Sequence, residues 1–488
     1  MKILYSLIIF LLTGGTILAQ LPSDALRLSS LESGTTARTI GINGAINSLG
    51  ADFSVSSTNP AGMAAYRKSE FTFSPAVSSS RVESILDGSN DNVAFRQSRS
   101  KFNLGNIGIV FANRPTGSNW KTANFAIGLN RMANFYSSSY YSGKSTGTIT
   151  DRWVQLADGF TPDELGDFET GLAYDAGAIY NPFAYDNTLY GNDFSPTEVV
   201  DKAQIIQTTG SINELVFSLS GNYDEKLMLG LTVGVPIVDY EETKEYVESD
   251  EENKNPVFNE LVFNEYLNTS GTGINVKMGF IYRPFQAFRI GGAVHTPTSY
   301  SLEDKYSNAL SYDFGQGVFE AETPDGLFDY KIITPWKAIG SASFLFGKMG
   351  FISTEVEWID YASASFNFNN AVSISDTEYE QLINQQIQDD YKSALNVRVG
   401  GELALGKLRV RAGYGILGSP YAGDSNSTGQ SISGGIGIRE DKFFLDLGYQ
   451  NLRYGDTFVP YIVAGDNTQA VTNDYVNQKF LMTLGFKF

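Results

Sequence analysis

The chain has 488 residues, a formal net charge of -19, 49 glycines, 13% aromatic residues and no cysteine. The missing cysteines exclude thiolate catalysis and thiolate-held zinc or iron–sulfur centres. The acidic balance makes nucleic acid a poor partner, because phosphate binding needs clustered Lys and Arg. After the first residues nothing approaches the roughly 20 apolar residues of a spanning helix, whereas short alternating segments recur to the end.

The N-terminus begins with Lys2, continues through the apolar run Ile3 to Leu12, and turns small and polar between Thr13 and Ala19. That order is a secretory signal, with cleavage expected after Ala19. No Cys follows, which excludes lipid anchoring through an N-terminal Cys. Residues 20–68 come next and are not needed to build a wall. They are rich in Ser, Gly, Ala and Asn, with Ser23 placed to cap a short helix through Leu31. A linker would not require Ile40, Ile42, Ile46, Leu49, Phe53 and Val55. These residues, and small neighbours that permit close packing, point to a plug inside a lumen. The segment closes on Asn59-Pro60-Ala61-Gly62-Met63.

From residue 69 onward the fold class reads as all-β, a transmembrane antiparallel barrel. Fourteen alternating segments centre near Phe73, Ile107, Ile127, Phe217, Val233, Met278, Ile290, Ala342, Val356, Val399, Val410, Ile436, Leu445 and Leu484. An even count is the rule for single-chain bacterial barrels. In the last segment Phe480, Met482, Leu484, Phe486 and Phe488 share a face suited to lipid, while Lys479, Thr483, Gly485 and Lys487 face the other way. Short turns at 114–119, 223–225, 284–286, 347–348, 406 and 440–442 alternate with longer connections, placing the short turns on the periplasmic side. In the second segment the apolar phase slips between Leu104 and Ile107, so Gly105 and Asn106 mark a bulge.

The longest outer connection, 137–207, is expected to carry its own structure. Trp153 to Leu156 and Pro162 to Ala173 are compatible with helix, with Thr161 as N-cap. Trp153, Phe160, Phe168, Leu172 and Tyr174 offer apolar surface that either packs on itself as a cap or stays open above the mouth. The acidic run Glu241 to Glu252 reads as a solvated outer loop, with divalent-ion binding the less favoured alternative.

The Gly/Ala-rich segment ending in Asn59-Pro60-Ala61-Gly62-Met63 just before the first strand resembles the hatch of FadL-type outer-membrane transporters of long-chain fatty acids and aromatic hydrocarbons. The stretches Arg289-Ile-Gly-Gly-Ala-Val-His295-Thr-Pro-Thr298, Val399-Gly-Gly-Glu402, Arg411-Ala-Gly-Tyr414 and Ser419-Pro-Tyr421 are similar to a divergent branch of that family. The resemblance implies a hatch-plugged barrel. A hydrophobic ligand would be captured at the outer loops, held in a pocket above the hatch and released sideways through a gap beside a kinked third strand. Here that strand, Asn124 to Phe135, contains Gly128 but no Pro to mark the kink. Sideways release is physically sensible, because returning each methylene to water costs roughly 0.8 kcal/mol.

Pleat phase turns Lys277, Arg289, His295, Glu355, Glu357, Arg398, Glu402, Arg409, Arg411, Arg439 and Asp446 inward. Arg289, His295, Arg398, Glu402, Arg409 and Arg411 are the candidates for ligand binding or ion pairing; in the functional reading one of the cations among them holds a carboxylate headgroup. The alternative, preferred for any single residue, is an ion-pair ladder bracing wall and hatch. Glu402 is expected to pair across strands with Arg409 or Arg411. His295 is the sole histidine and Ser299 lies close in sequence, but the intervening Thr296-Pro297-Thr298 is explained by a strand-edge proline, and no enzymatic activity is expected. No cofactor or metal is called for. The expected partners are a hydrophobic small molecule, outer-membrane lipid and the barrel-assembly machinery, with a monomer as the default state. A general porin and a structural or adhesive barrel are the competing readings.

Overall fold

A computed structural model describes residues 21–183, 185–252, 254–315, 317–368, 374–423, 427–465 and 469–488. The expected export signal lies outside them. Nineteen strands form one antiparallel sheet. In chain order they start with β1 (Glu70–Leu86), β2 (Phe95–Asn113), β3 (Trp120–Asn134), β4 (Ser137–Thr146), β5 (Val199–Tyr223), β6 (Leu227–Ser249) and β7 (Glu260–Phe285). The middle of the chain gives β8 (Phe288–His295), β9 (Ser299–Asp313), β10 (Val318–Glu322), β11 (Gly326–Ile333), β12 (Lys337–Leu345), β13 (Gly350–Asp360) and β14 (Ser365–Asn367). The last five are β15 (Ser393–Leu405), β16 (Leu408–Leu417), β17 (Gly429–Arg439), β18 (Phe443–Phe458) and β19 (Val471–Lys487).

The sheet closes into a barrel of 14 strands, the remaining ones being outer additions. Closure is made by β19 on β1, where Phe71 faces Phe486 and Phe73 faces Leu484. Phe488 completes the seam by donating its N–H to the Ser69 carbonyl at 3.0 Å. All fourteen segment centres read from the alternation fall within wall strands. The bulge is also where the phase slip put it: Ser74 faces Asn106 and Pro75 faces Leu104, so Gly105 is the extra residue.

Outward side chains form an apolar belt. Leu219, Leu229, Leu231, Ile274, Met278, Val397, Ile436 and Phe480 are exposed, and Leu219, Leu231 and Met278 are direct neighbours across the β5–β6–β7 ladders. Trp120, Tyr223, Phe285, Phe344, Phe443 and Phe486 ring the short-turn edge. A continuous apolar band with an aromatic rim is the surface a bilayer covers.

Above the belt the wall continues where loops were expected. β9 runs on from β8 after Thr296-Pro297-Thr298, and β11 leads into β12 across Thr334-Pro335-Trp336. Proline cannot donate to a ladder, so each break falls at one. The acidic run is likewise part of β6: Glu248 is fully buried and accepts bonds from the Thr148 hydroxyl, the Ile149 N–H and Tyr246. Its last member, Glu252, stays outside the strand, where hydrogen bonds from Lys144 and then Lys254 hold its carboxyl down at about 2. No metal-holding cluster occurs among the described residues.

The long outer connection is a self-packed cap. It holds α3 (Ile149–Ala157), a short 3-10 turn Pro162–Glu164 and α4 (Thr170–Asp175). The helix expected over 162–173 is therefore two pieces. Glu164 completes a capping box on Thr161, and the Gly166 carbonyl turns to meet Gly171 N–H at 2.8 Å. Trp153 and Leu172 are buried against Tyr246, Phe258, Leu261 and Tyr312. Phe160 and Tyr174 pack at the margin of that cluster, and Phe168 stacks on Tyr306.

The outward phase makes a direct prediction. Leu231→Arg, on the belt, should lose about 2–4 kcal/mol of stability. Urea unfolding in phospholipid vesicles measures it, and an unchanged midpoint would mean that this face does not meet lipid.

Candidate functional site

The barrel interior is occupied by residues 21–66. This N-terminal segment forms α1 over Pro22–Ser29 and α2 over Ala37–Gly41, then 3-10 turns at Phe53–Ser57 and Pro60–Ala65. Ser23 does not cap α1: Leu21 is the N-cap, and the Asp24 carboxylate takes its N–H at 2.9 Å. Proline at the first helical position sets the start two residues earlier than the Ser signal implied. Thr36 caps α2, and Asp52 caps the first 3-10 turn.

Nearly every residue from Thr35 to Ala64 is buried, and the polar ones bond to strands around the whole wall. The Ala37 N–H meets Thr483 on β19 at 2.8 Å, and Asn43 takes a 2.6 Å bond from Gln450 on β18. Asn47 donates to Glu355 on β13 at 2.8 Å, and Ser57 to Glu214 on β5 at 2.6 Å. The wall makes room with inward glycines. A Cβ on Gly230 would lie 2.2 Å from the Pro60 carbonyl carbon, and one on Gly108 would lie 2.3 Å from the Phe53 ring.

The five-residue string is the tightest part of this fit. Asn59 is fully buried, caps the second 3-10 turn through Ala61 N–H, and donates to the Asn47 and Phe280 carbonyls at 2.7 and 3.2 Å. Pro60 and Ala61 lie on Gly230 of β6, and the Gly62 carbonyl accepts the Ala51 N–H at 3.0 Å. A side chain on Gly62 would strike Val55 at 2.7 Å. Met63 is buried, its carbonyl taking Asn124 Nδ2 of β3 at 2.9 Å.

The inward charges read from the pleat are joined to each other and to this segment. Arg398 bridges Glu355 and Glu357, each at 3.1 Å, and Lys337 adds a 3.3 Å pair to Glu357. Glu402 and Arg411 are direct cross-strand partners, 2.7 Å apart, and Arg411 continues to Asp446 at 2.8 Å. Arg409 sits farther from Glu402, at 3.6 Å, and donates to the Gly406 carbonyl instead. Arg289 caps the Leu49 carbonyl at 2.9 Å. His295 reaches the Thr58 carbonyl from Nε2 at 2.6 Å. It is buried while Ser299 is exposed, so the two are not brought together. Glu214 was missed by the sequence reading. It is buried and pairs with Lys277 while holding Ser57, and its only sequence signal is the inward phase it shares with Val216 and Ser218.

A small cavity, about 40 Å3, lies above the five-residue string. Its walls include Leu28, Leu31, Glu32, Thr58, Met132, Lys277, His295 and Lys337. Over it, Ala25 and Leu28 of α1 pack into a cluster with Met132, Tyr300, Tyr330, Ile383 and Ile387, the last two from α5 (Ile374–Asp390).

Beside the cavity the wall is incomplete. β2 and β3 pair from Asn113/Ala123 up to Asn106/Asn130, and no further. The register shifts between Arg131 and Ala133, β3 ends at Asn134, and the chain resumes as β4 after Phe135 and Tyr136. β4 then leans on the β1–β2 hairpin, through Ser80 and Ser137 hydroxyls 3.2 Å apart and the Phe95 and Tyr140 rings at 5.1 Å. The third strand is thus kinked without proline, by an inserted residue at Met132. Residues 31–35 stand behind the gap: Glu32 N–H bonds the Met132 carbonyl at 2.7 Å, and Thr35 donates to Asn130 at 3.1 Å.

Neither protein-family models nor curated proteins match the chain. Solved structures do. A FadL homologue from Pseudomonas aeruginosa aligns at a TM-score of 0.53 and 12% identity, over 98% of this chain and 100% of that one. The toluene transporter TodX of Pseudomonas putida aligns at 0.51 and 11% identity, over 94% and 99%. This is the same fold. At such identities the likeness extends to the fold, and the chemistry must be argued from this chain's own residues.

The charge ladder is testable by a double substitution. Lys277→Met should cost about 3–5 kcal/mol by stranding Glu214 in the lumen. Adding Glu214→Gln should restore most of it, and equal midpoints for single and double variants in denaturant titration would show that the pair braces nothing.

Proposed function

We propose that the protein lies in the bacterial outer membrane and takes up hydrophobic small molecules, long-chain fatty acids or aromatic hydrocarbons, by passive diffusion. Residues 20–68 act as its hatch, with Asn59 to Met63 as the part wedged hardest against the wall. The observation that carries the reading is the break in the β2–β3 ladder next to Met132, which lines the luminal cavity, with residues 31–35 standing between gap and cavity while the rest of the hatch blocks the way straight down. A ligand leaving through that gap enters lipid without crossing water, which keeps the roughly 0.8 kcal/mol of each methylene in place. The P. putida structure is named as a toluene transporter, which supports the same class of cargo.

Luminal charges fit the bracing role better than ligand capture. Arg398, Glu402 and Arg411 are engaged by carboxylates, arginines or the hatch, and Arg289 and His295 are spent on hatch carbonyls. A general porin needs a water-filled bore, and the packing of Thr35 to Ala64 argues against one.

Two measurements in liposomes decide the matter. The intact protein should pass fatty acids or aromatics with low ion conductance, and deleting residues 21–68 should raise conductance sharply; free ion flow with no hydrophobic uptake by the intact chain would sink the proposal. Because the natural chain has no cysteine, Lys101→Cys with Tyr136→Cys puts a single pair of thiols on the two sides of the gap, to be joined by a reducible bifunctional thiol reagent. Joining them should stop uptake and reduction of the linker restore it, whereas uptake insensitive to the link would place the exit elsewhere.

A further inference from the structure

Where the ladder between β2 and β3 stops, side chains take over. Arg131 of β3 donates from Nε to the Leu104 carbonyl of β2 at 3.1 Å. From the opposite side, Arg99 of β2 donates through Nη1 to the Ser137 carbonyl and through Nη2 to the Tyr136 hydroxyl, both at 3.3 Å. Two guanidiniums thus cross the gap, Arg131 from β3 to a carbonyl of β2 and Arg99 from β2 to the first carbonyl of β4. The Tyr136 ring also carries the Arg99 guanidinium at 4.2 Å and the Lys101 ammonium at 5.0 Å.

The reason for arginine here is the bilayer. In hydrocarbon a strand edge with unpaired carbonyls is costly, and a closed ladder is the usual remedy. A gap must satisfy those carbonyls by groups that can let go. A guanidinium on a flexible stem does so, whereas a backbone ladder cannot be undone locally. Its bond to a neutral carbonyl is also weaker than the bidentate bond it makes with an anionic oxygen group. Neither Arg99 nor Arg131 is in an ion pair among the described residues: Glu32, the carboxylate acting on Arg131, is held by Lys479 at 2.8 Å.

We propose that Arg131 and Arg99 latch the lateral gap, and that the anionic headgroup of a passing ligand opens it by drawing the guanidiniums off the Leu104 and Ser137 carbonyls. This rests on the exit path proposed above. A neutral hydrophobe meets the latch closed, so the gap favours carboxylated ligands over uncharged ones of the same length. Both arginines are positioning residues for the exit, and their effect is on which ligand leaves and how fast.

The test is flux of a long-chain carboxylate and of its methyl ester through protein in phosphatidylcholine vesicles. The natural chain should favour the carboxylate by about tenfold, the worth of one charge-assisted bond over a neutral one. Arg131→Gln with Arg99→Gln should bring the ratio near unity, chiefly by raising ester flux. A ratio unmoved by these changes overturns the latch, whereas no flux of either compound in the natural chain overturns the transport proposal itself. If the double variant does not insert, Arg131→Gln alone serves the same purpose: it removes the charge that the headgroup draws on, and its ratio should fall part of the way. Adding anionic phosphatidylglycerol should leave the natural ratio in place. If it raises ester flux to the variant's level, bilayer phosphates open the latch, and the assignment to the ligand headgroup is wrong.

Discussion

A barrel filled with its own polypeptide leaves little room for solvent around inward-facing polar groups, and much of the structure follows from that exclusion. Each charge turned toward the lumen must find a partner in the protein, because an unpaired buried charge costs several kcal/mol. Hence Arg398 spans two glutamates, Arg411 links Glu402 to Asp446, and Asn47, Ser57 and Asn43 of the N-terminal segment end on wall residues. The same exclusion sets the glycine content. Gly108, Gly230, Gly400 and Gly448 stand where backbone or rings of that segment touch the wall, and any larger residue would push it out.

The outside of the wall obeys the opposite demand, and the contrast explains what the sequence could reveal. Within the bilayer one face must be apolar and the other must suit a packed polar lumen, so alternation is strong and the phase of all fourteen wall strands can be read directly. Above the bilayer both faces can be polar. β9 keeps Tyr300, Leu302 and Asp304 inward, yet its outward Ser299, Ser301 and Glu303 look like loop residues, and the strand was not apparent. The acidic stretch in β6 was obscured in the same way.

The site was legible in part. Asn59 to Met63 stand out because a proline after a capping asparagine, followed by glycine, is a local signal. Glu402 with Arg411 could be foreseen because a tight turn at Gly406 fixes their register. Glu214 and Lys277 lie 63 positions apart, and no local pattern joins them. The kink was hidden for another reason: it comes from one inserted residue near Met132, which leaves no proline or glycine as a marker, and it becomes visible only when the β2 ladder is seen to stop.

The spread of the N-terminal segment's partners has a consequence for assembly. It contacts β3, β5 and β7 through Asn130, Glu214 and Phe280, but its bonds to Ser431, Gln450 and Thr483 are with β17, β18 and β19, the last strands made. About half of its seat therefore does not exist until the final hairpins arrive, and the final seam forms around a body that must already be there. Seating the segment fully and closing β19 on β1 therefore depend on one another, since the last strands supply part of the surface the segment rests on.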